Sequence, residues 1–91
     1  MAAPTQPLGS FARNITSQNG EDGILDEIFK RIGTDNRWCL EVGAWDGEHL
    51  SNTCSCWRDR DWSAVLIECS EKSYAGLKAR TVTYPKVHPI H

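Results

Sequence analysis

The densest set of residues able to do chemistry lies between Leu40 and Thr53, in the stretch "LEVGAWDGEHLSNT". An acid, Glu41, is followed by two glycines, Gly43 and Gly47, with Ala44, Trp45 and Asp46 between them and His49 just beyond. A glycine corner after a short apolar run lets backbone N–H groups and the start of the next helix approach a ligand beyond the carboxyl end of a strand. A second acid, Glu68, lies 21 residues past Gly47. That is about the interval at which nucleotide-binding sheets set the carboxylate that accepts hydrogen bonds from ribose hydroxyls. The spacing therefore fits an adenosine-containing cofactor. It does not complete the G-x-G-x-x-G pattern, because Trp45 stands where a second glycine would admit a pyrophosphate, and this argues against a dinucleotide-dependent oxidoreductase. The P-loop lysine is missing as well, which argues against a nucleoside triphosphate.

Such residues need elements to hold them. In "SQNGEDGILDEIFKRIG" the residues Ile24, Leu25, Ile28, Phe29 and Ile32 fall at helical spacing, with Asn19 as the expected N-cap and Gly33 as the stop. Glu21 and Asp22 sit in the first turn, where their plainest role is capping. "WCLEV", 38–42, reads as a buried strand that enters the glycine corner, and Leu50, Cys54 and Trp57, at i, i+4 and i+7, predict a helix behind it. After a solvated "RDRD" turn, a second strand is expected over Ala64–Cys69. Ser70 then caps a helix over 71–80, with Tyr74 and Leu77 inward, and Val87 opens a third strand beyond Pro85. Strands alternating with helices imply parallel pairing. The expected fold is α/β, a partial Rossmann-like doubly wound parallel sheet containing the first two to three strands and their flanking helices. Residues 1–16 read as a flexible N-terminal segment ahead of it, and residues 17–91 as the domain portion proper.

Hydrophobic residues make up 40% of the chain and charged residues 24%, a balance suited to a packed globular core. The net charge of −2 and the lack of a Lys/Arg cluster give no field for a phosphate backbone or an anionic lipid surface, so neither nucleic acid nor membrane is an expected partner. With no signal-like start and no long apolar run, the expected location is cytoplasmic. Cys39, Cys54, Cys56 and Cys69 fall within apparent regular elements, which favours reduced thiols, and "CSC" at 54–56 lacks the spacing of a zinc site. No metal is expected. His88 and His91 read as part of a frayed tail.

An acid before a G-x-x-x-G turn and another after the second strand resemble the first two motifs of S-adenosylmethionine-dependent methyltransferases. Read together, "SQNGEDGILDEIF", "EVGAWDGEHLSNT" and "DWSAVLIECSEKSYAGLKAR" resemble, in order and spacing, the FkbM-type methyltransferase family over roughly Ser17 to Arg80. The resemblance implies S-adenosylmethionine as cofactor and a small-molecule methyl acceptor, with transfer to oxygen. By position it implies that Glu41, Gly43, Ala44 and Gly47 line the methionine end of the cofactor and that Glu68 holds the ribose. Asp46 joins them as a cofactor-site candidate, and Asn52 also matches a family position. The pattern departs from the family at Asp61-Trp62-Ser63-Ala64 and Glu68-Cys69, and nothing after Arg80 matches it. The chain thus resembles the cofactor-binding front of a methyltransferase whose acceptor-binding half lies elsewhere, and no catalytic residue is named. The alternative reading is a non-enzymatic truncated fragment or binding module that keeps this half-fold. In either case the 38–42 strand is expected at a sheet edge, exposed to self-association.

Overall fold

The computed structural model describes residues 6–91. Its element order is a 3-10 turn (Leu8–Phe11), α1 (Glu21–Ile32), β1 (Trp38–Val42), a single π-type turn (Ser55–Asp59), β2 (Ser63–Ile67), α2 (Glu71–Thr81) and β3 (Val87–Ile90). The three strands form one parallel sheet in the order β1-β2-β3. Trp38 lies opposite Ser63 and Val42 opposite Ile67, and Ala64 is opposite Val87 and Ile67 opposite Ile90. The chain is therefore a mixed α/β fold with β2 central and β1 at an edge.

Alternation along the strands decides which face is covered. Ala64 and Leu66 of β2 are fully buried, and they join Trp57, Cys54, Leu77, Ala44 and Val87 in one core, with Cys39, Tyr74 and Tyr84 packed around it. Each large apolar side chain buried there contributes about 1.5–3 kcal/mol relative to exposure. The core lies on the sheet face that carries Leu77 of α2 and Trp57 of the π-type turn. The opposite face is open: Trp38, Leu40, Val42 and Ile90 all remain exposed, Val42 by 74%. The second helical layer of a doubly wound sheet is thus not present among the described residues.

α2 matches the sequence expectation. Ser70 accepts from the Ser73 N–H, Leu77 faces inward, and the helix runs one residue further, to Thr81. The α1 cap differs: the N-cap is Gly20 in the left-handed region (φ 82°), not Asn19. Of its first-turn donors, the Asp22 N–H goes to the Ser17 hydroxyl and the Gly23 N–H to the Arg13 carbonyl, while the first-turn acids hold the preceding segment. Glu21 accepts from the Asn19 N–H, and Asp22 Oδ2 accepts from the N–H groups of Ile15, Thr16 and Ser17. The chain before α1, expected as a flexible lead, carries the 3-10 turn, and its Arg13 C=O accepts from the Gly23 N–H. The part of that lead in residues 1–5 lies outside the described residues.

Two further expectations are corrected. Residues 50–57 do not form an α-helix, because Leu50 is held at φ 55° and Ser51 uses its hydroxyl to accept from the Thr53 and Cys54 N–H groups, so only the π-type turn at Ser55–Asp59 follows. Leu50 is exposed rather than inward. The C-terminal histidines are not a frayed tail: His88 lies in β3 and stacks on Trp38 at 5.9 Å, and His91 stacks on Tyr74 at 5.0 Å. No helix is long and apolar enough to cross a membrane among the described residues.

Candidate functional site

The corner after β1 is fastened to the end of β2. The N–H groups of Gly43 and Ala44 both donate to the Ile67 carbonyl, at 2.8 and 2.9 Å, and the Trp45 N–H donates to Glu68 Oε1 at 2.7 Å. Glu68 Oε2 accepts from the Ser70 N–H at 2.8 Å. One carboxylate therefore clamps the corner to the start of α2. Those backbone donors, Ser70 first and Trp45 next, hold the Glu68 carboxyl below the ordinary glutamate range. Each oxygen keeps a further lone pair.

Glu41, one turn of pleat away, anchors the other side. Its Oε1 accepts from the hydroxyls of Ser51 at 2.8 Å and Thr53 at 2.5 Å. Ser51 is buried and in turn caps the N–H groups of residues 53 and 54. The segment before α1 closes on the same place. The Thr16 hydroxyl donates to the Ser51 carbonyl, and the Ser55 hydroxyl donates to Asp22 Oδ1. Burial works to raise the Asp22 pKa, but the N–H groups of Ser17, Thr16 and Ile15 outweigh it and keep the carboxyl below its ordinary value. The segments 17–22, 41–55 and 67–70, far apart in sequence, form one hydrogen-bonded cluster at the carboxyl ends of β1 and β2.

The six candidate cofactor residues divide by what they face. Gly43 (φ 76°) has open space where a Cβ would stand, and Glu41 is half-buried with its second oxygen uncommitted among the described residues. Ala44 is buried beneath the corner. Gly47 (φ 87°) faces the core: a Cβ there would lie 2.7 Å from a Leu77 methyl and 3.6 Å from the Trp57 ring. Asp46 Oδ1 caps its own turn, accepting from the Glu48 and His49 N–H groups at 3.0 and 2.8 Å. Burial raises the Asp46 pKa, yet the His49 and Glu48 N–H groups and the Arg80 charge bring it below normal. Ala44, Asp46 and Gly47 thus build the corner; Gly43 is exposed, Glu41 is half-buried, and Glu68 is buried at the clamp.

No protein-family model, curated protein or solved structure matches this chain. A groove of about 250 Å³ lies beside the corner, lined by Ile15, Thr16, Ser17, Glu48, His49 and Leu50. The sequence pattern pointed to none of Ile15, Thr16 or Leu50 as site residues. His49 stands edge-on to the exposed Trp45 ring at 4.6 Å, and Trp45, like Leu50, is held in the left-handed region. That conformation disfavours side-chain-bearing residues by about 1–2 kcal/mol each and persists only where surroundings enforce it. Another groove, about 290 Å³, opens at the opposite ends of β1 and β2 between Phe29, Lys30, Arg37, Arg60 and Trp62, away from every candidate residue.

Burial holds three of the four thiols in their neutral form. All four cysteines are free; burial pushes Cys39 up to about 12 and Cys54 up to about 11, and raises Cys56 as well.

Proposed function

We propose that this chain is the cofactor-binding half of a Rossmann-like, S-adenosylmethionine-dependent methyltransferase of the FkbM type, acting with an acceptor-binding portion on a small-molecule oxygen acceptor. One observation carries the reading: the corner offers acceptors, not donors. Of the N–H groups from Gly43 to His49, all but that of Asp46 already have a partner inside the protein. The carboxylates around the corner are Glu41, half-buried with one oxygen uncommitted among the described residues, Glu68, buried with one hydrogen bond to each oxygen, and Glu48, which lines the groove and pairs with Arg58 and Arg80. A phosphate needs the reverse arrangement, free N–H groups and cations. A ribose diol, an α-ammonium group and a sulfonium all favour a ring of acceptors and negative charge. The strand order β1-β2-β3, with the acid-bearing ends of β1 and β2 adjacent, also agrees with the first half of such a sheet. In this reaction the cofactor supplies an already electrophilic methyl group. This half of the fold binds and orients it, with Glu68 toward the ribose hydroxyls, Gly43 admitting close approach, and Glu41 toward the amino-acid end.

The satisfied corner also favours a second reading, a binding module or fragment without chemistry, in which Glu41 and Glu68 serve only as clamps. Titration of the ¹⁵N-labelled chain with S-adenosylhomocysteine separates the two. Cofactor binding shifts the amides of Gly43, Trp45 and Ser70, the last two because they report on the Glu68 carboxylate, and ATP shifts them far less. Amides that stay in place with millimolar S-adenosylhomocysteine, or respond equally to ATP, refute the methyltransferase reading.

A further inference from the structure

The edge strand has its own complement. In a parallel ladder, alternate residues turn both peptide groups toward the same neighbour. The Arg37 carbonyl accepts from the Ser63 N–H at 3.1 Å and the Gly43 N–H donates to Ile67 at 2.8 Å, so the odd-numbered residues of β1 face β2. The peptide groups of Trp38, Leu40 and Val42 face outward. The Trp38 N–H is taken by the Asn36 side chain at 3.3 Å, while those of Leu40 and Val42 have no partner among the described residues. β1 contains no proline, no lysine and no bulge, and its one charge, Glu41, is turned to the covered face and held by the Ser51 and Thr53 hydroxyls. The side chains of Trp38, Leu40 and Val42, exposed by 50%, 61% and 74%, stand on the open sheet face.

We infer that β1 pairs antiparallel with β1 of a second copy about a two-fold axis through Leu40, joining two sheets into one of six strands. The outward set is symmetric about Leu40. Leu40 meets Leu40 of the second copy, and Trp38 stands opposite its Val42, with the Trp38 ring lying inward over β2 against His88. All these positions are of the hydrogen-bonded type, giving about four to six new backbone bonds depending on whether the Trp38 N–H leaves Asn36. Charges agree with this direction. Arg37 has no ion pair among the described residues, and the antiparallel register brings it to the end of the second copy's β1, diagonal to Glu41. A parallel pairing of the two edges would set Arg37 beside Arg37 and Glu41 beside Glu41. On the far side of the sheet, β3 lacks this symmetry because Pro89 interrupts its donors.

Sedimentation equilibrium of the 91-residue chain across a hundredfold range of concentration, up to about 1 mM, tests the pairing. The expected result is a reversible monomer–dimer equilibrium that Leu40→Lys weakens at least tenfold, because two ammonium groups then meet on the axis. Leu40 is exposed and its peptide groups do not bond β2, so the fold survives the change, and circular dichroism checks this. In a Cys69→Ser background, mild oxidation of Leu40→Cys gives a covalent dimer, whereas Ile90→Cys, on the same face but across the sheet, does not. A chain that stays monomeric throughout overturns the proposal by assigning the edge to a strand of another sequence. A dimer indifferent to Leu40→Lys, or one cross-linked equally through Ile90→Cys, overturns it in favour of face-to-face packing.

Discussion

Replacing Gly47 by alanine isolates what the glycine corner is for. At φ 87° an alanine incurs the left-handed penalty of about 1–2 kcal/mol. Its Cβ would also lie 2.7 Å from the Cδ1 methyl of Leu77, a side chain fully buried among Trp57 and Leu66 and without room to withdraw. Over-packing of that kind costs about a further 1–3 kcal/mol. Gly43→Ala is the matched control: its φ of 76° brings the same backbone penalty, but nothing lies within 4 Å of its Cβ. The unfolded-state gain from removing a glycine is common to both and cancels. Gly47→Ala should therefore be less stable than Gly43→Ala by about 1–3 kcal/mol, which for a domain of this size lowers Tm by roughly 5–20 °C. Thermal melts at one fixed protein concentration measure the difference, since any self-association makes Tm depend on concentration. Equal Tm values for the two variants would refute the packing role of Gly47 and return it to the open side of the site. The same pair of proteins also reads function: Gly43→Ala, whose new methyl points into open space, should be the variant that weakens S-adenosylhomocysteine binding.

Acid titration of stability probes Asp22. Its folded pKa is depressed, so its stabilising effect is complete above the unfolded value near 3.8 and is lost as pH falls through the lower folded value; Asp22→Asn should flatten the melting curve in that window and cost about 1.5–3 kcal/mol near neutrality, as charge-assisted bonds to Ile15, Thr16 and Ser17 are lost. Equal acid sensitivity of the two proteins would show that the cluster is held by other groups. Alkylation at pH 8 should modify Cys69, the one exposed cysteine, and leave Cys39, Cys54 and Cys56 intact until denaturant is added, as peptide mass mapping would show. Early labelling of Cys54, which is fully buried, would mean that the core around Trp57 opens readily.

The elements with strong local signals were legible in the sequence. β1 was marked by "WCLEV" ending in glycine, α2 by Ser70 and the proline after it, and α1 by its apolar spacing. Residues 50–57 misled because the i, i+4, i+7 pattern of Leu50, Cys54 and Trp57 is also produced by a loop that drops Cys54 and Trp57 into the core from a π-type turn. What overrides helix propensity there lies outside the segment itself: Glu41, ten and twelve residues upstream, takes the hydroxyls of Ser51 and Thr53. The Gly20 cap escaped for a related reason, since the first-turn N–H groups of Asp22 and Gly23 are taken by the Ser17 hydroxyl and the Arg13 carbonyl rather than by a cap side chain. The glycine at position 47 carried the right residue type for two opposite reasons, close approach by a ligand or close approach by the core. Spacing cannot separate them, because both demand a missing Cβ.

The carboxylate at the end of β2 shows how far structure and binding share the same atoms. Glu68 holds Trp45 through one oxygen and Ser70 through the other, so it is already a structural residue before any ligand arrives. Under the proposed reading a ribose contact stays open to it, because each oxygen retains a lone pair and the bonds it already makes fix the carboxylate's orientation. Those bonds change what a substitution means. Glu68→Gln turns one of the two oxygens into an N–H₂ group, which then faces the N–H of either Trp45 or Ser70, so the corner loosens even without cofactor. A loss of affinity in that variant is consequently ambiguous alone, whereas Glu41 offers a cleaner division. Its Oε1 carries both hydroxyl bonds and its other oxygen is uncommitted among the described residues. Hydroxyls can also reverse their donor and acceptor roles toward an amide, as a backbone N–H cannot. The two acids thus differ in kind: the one beside Ser51 can adapt to a ligand, and the one beneath Trp45 is fixed in advance, which suits the latter to a rigid ribose diol and the former to the flexible amino-acid end.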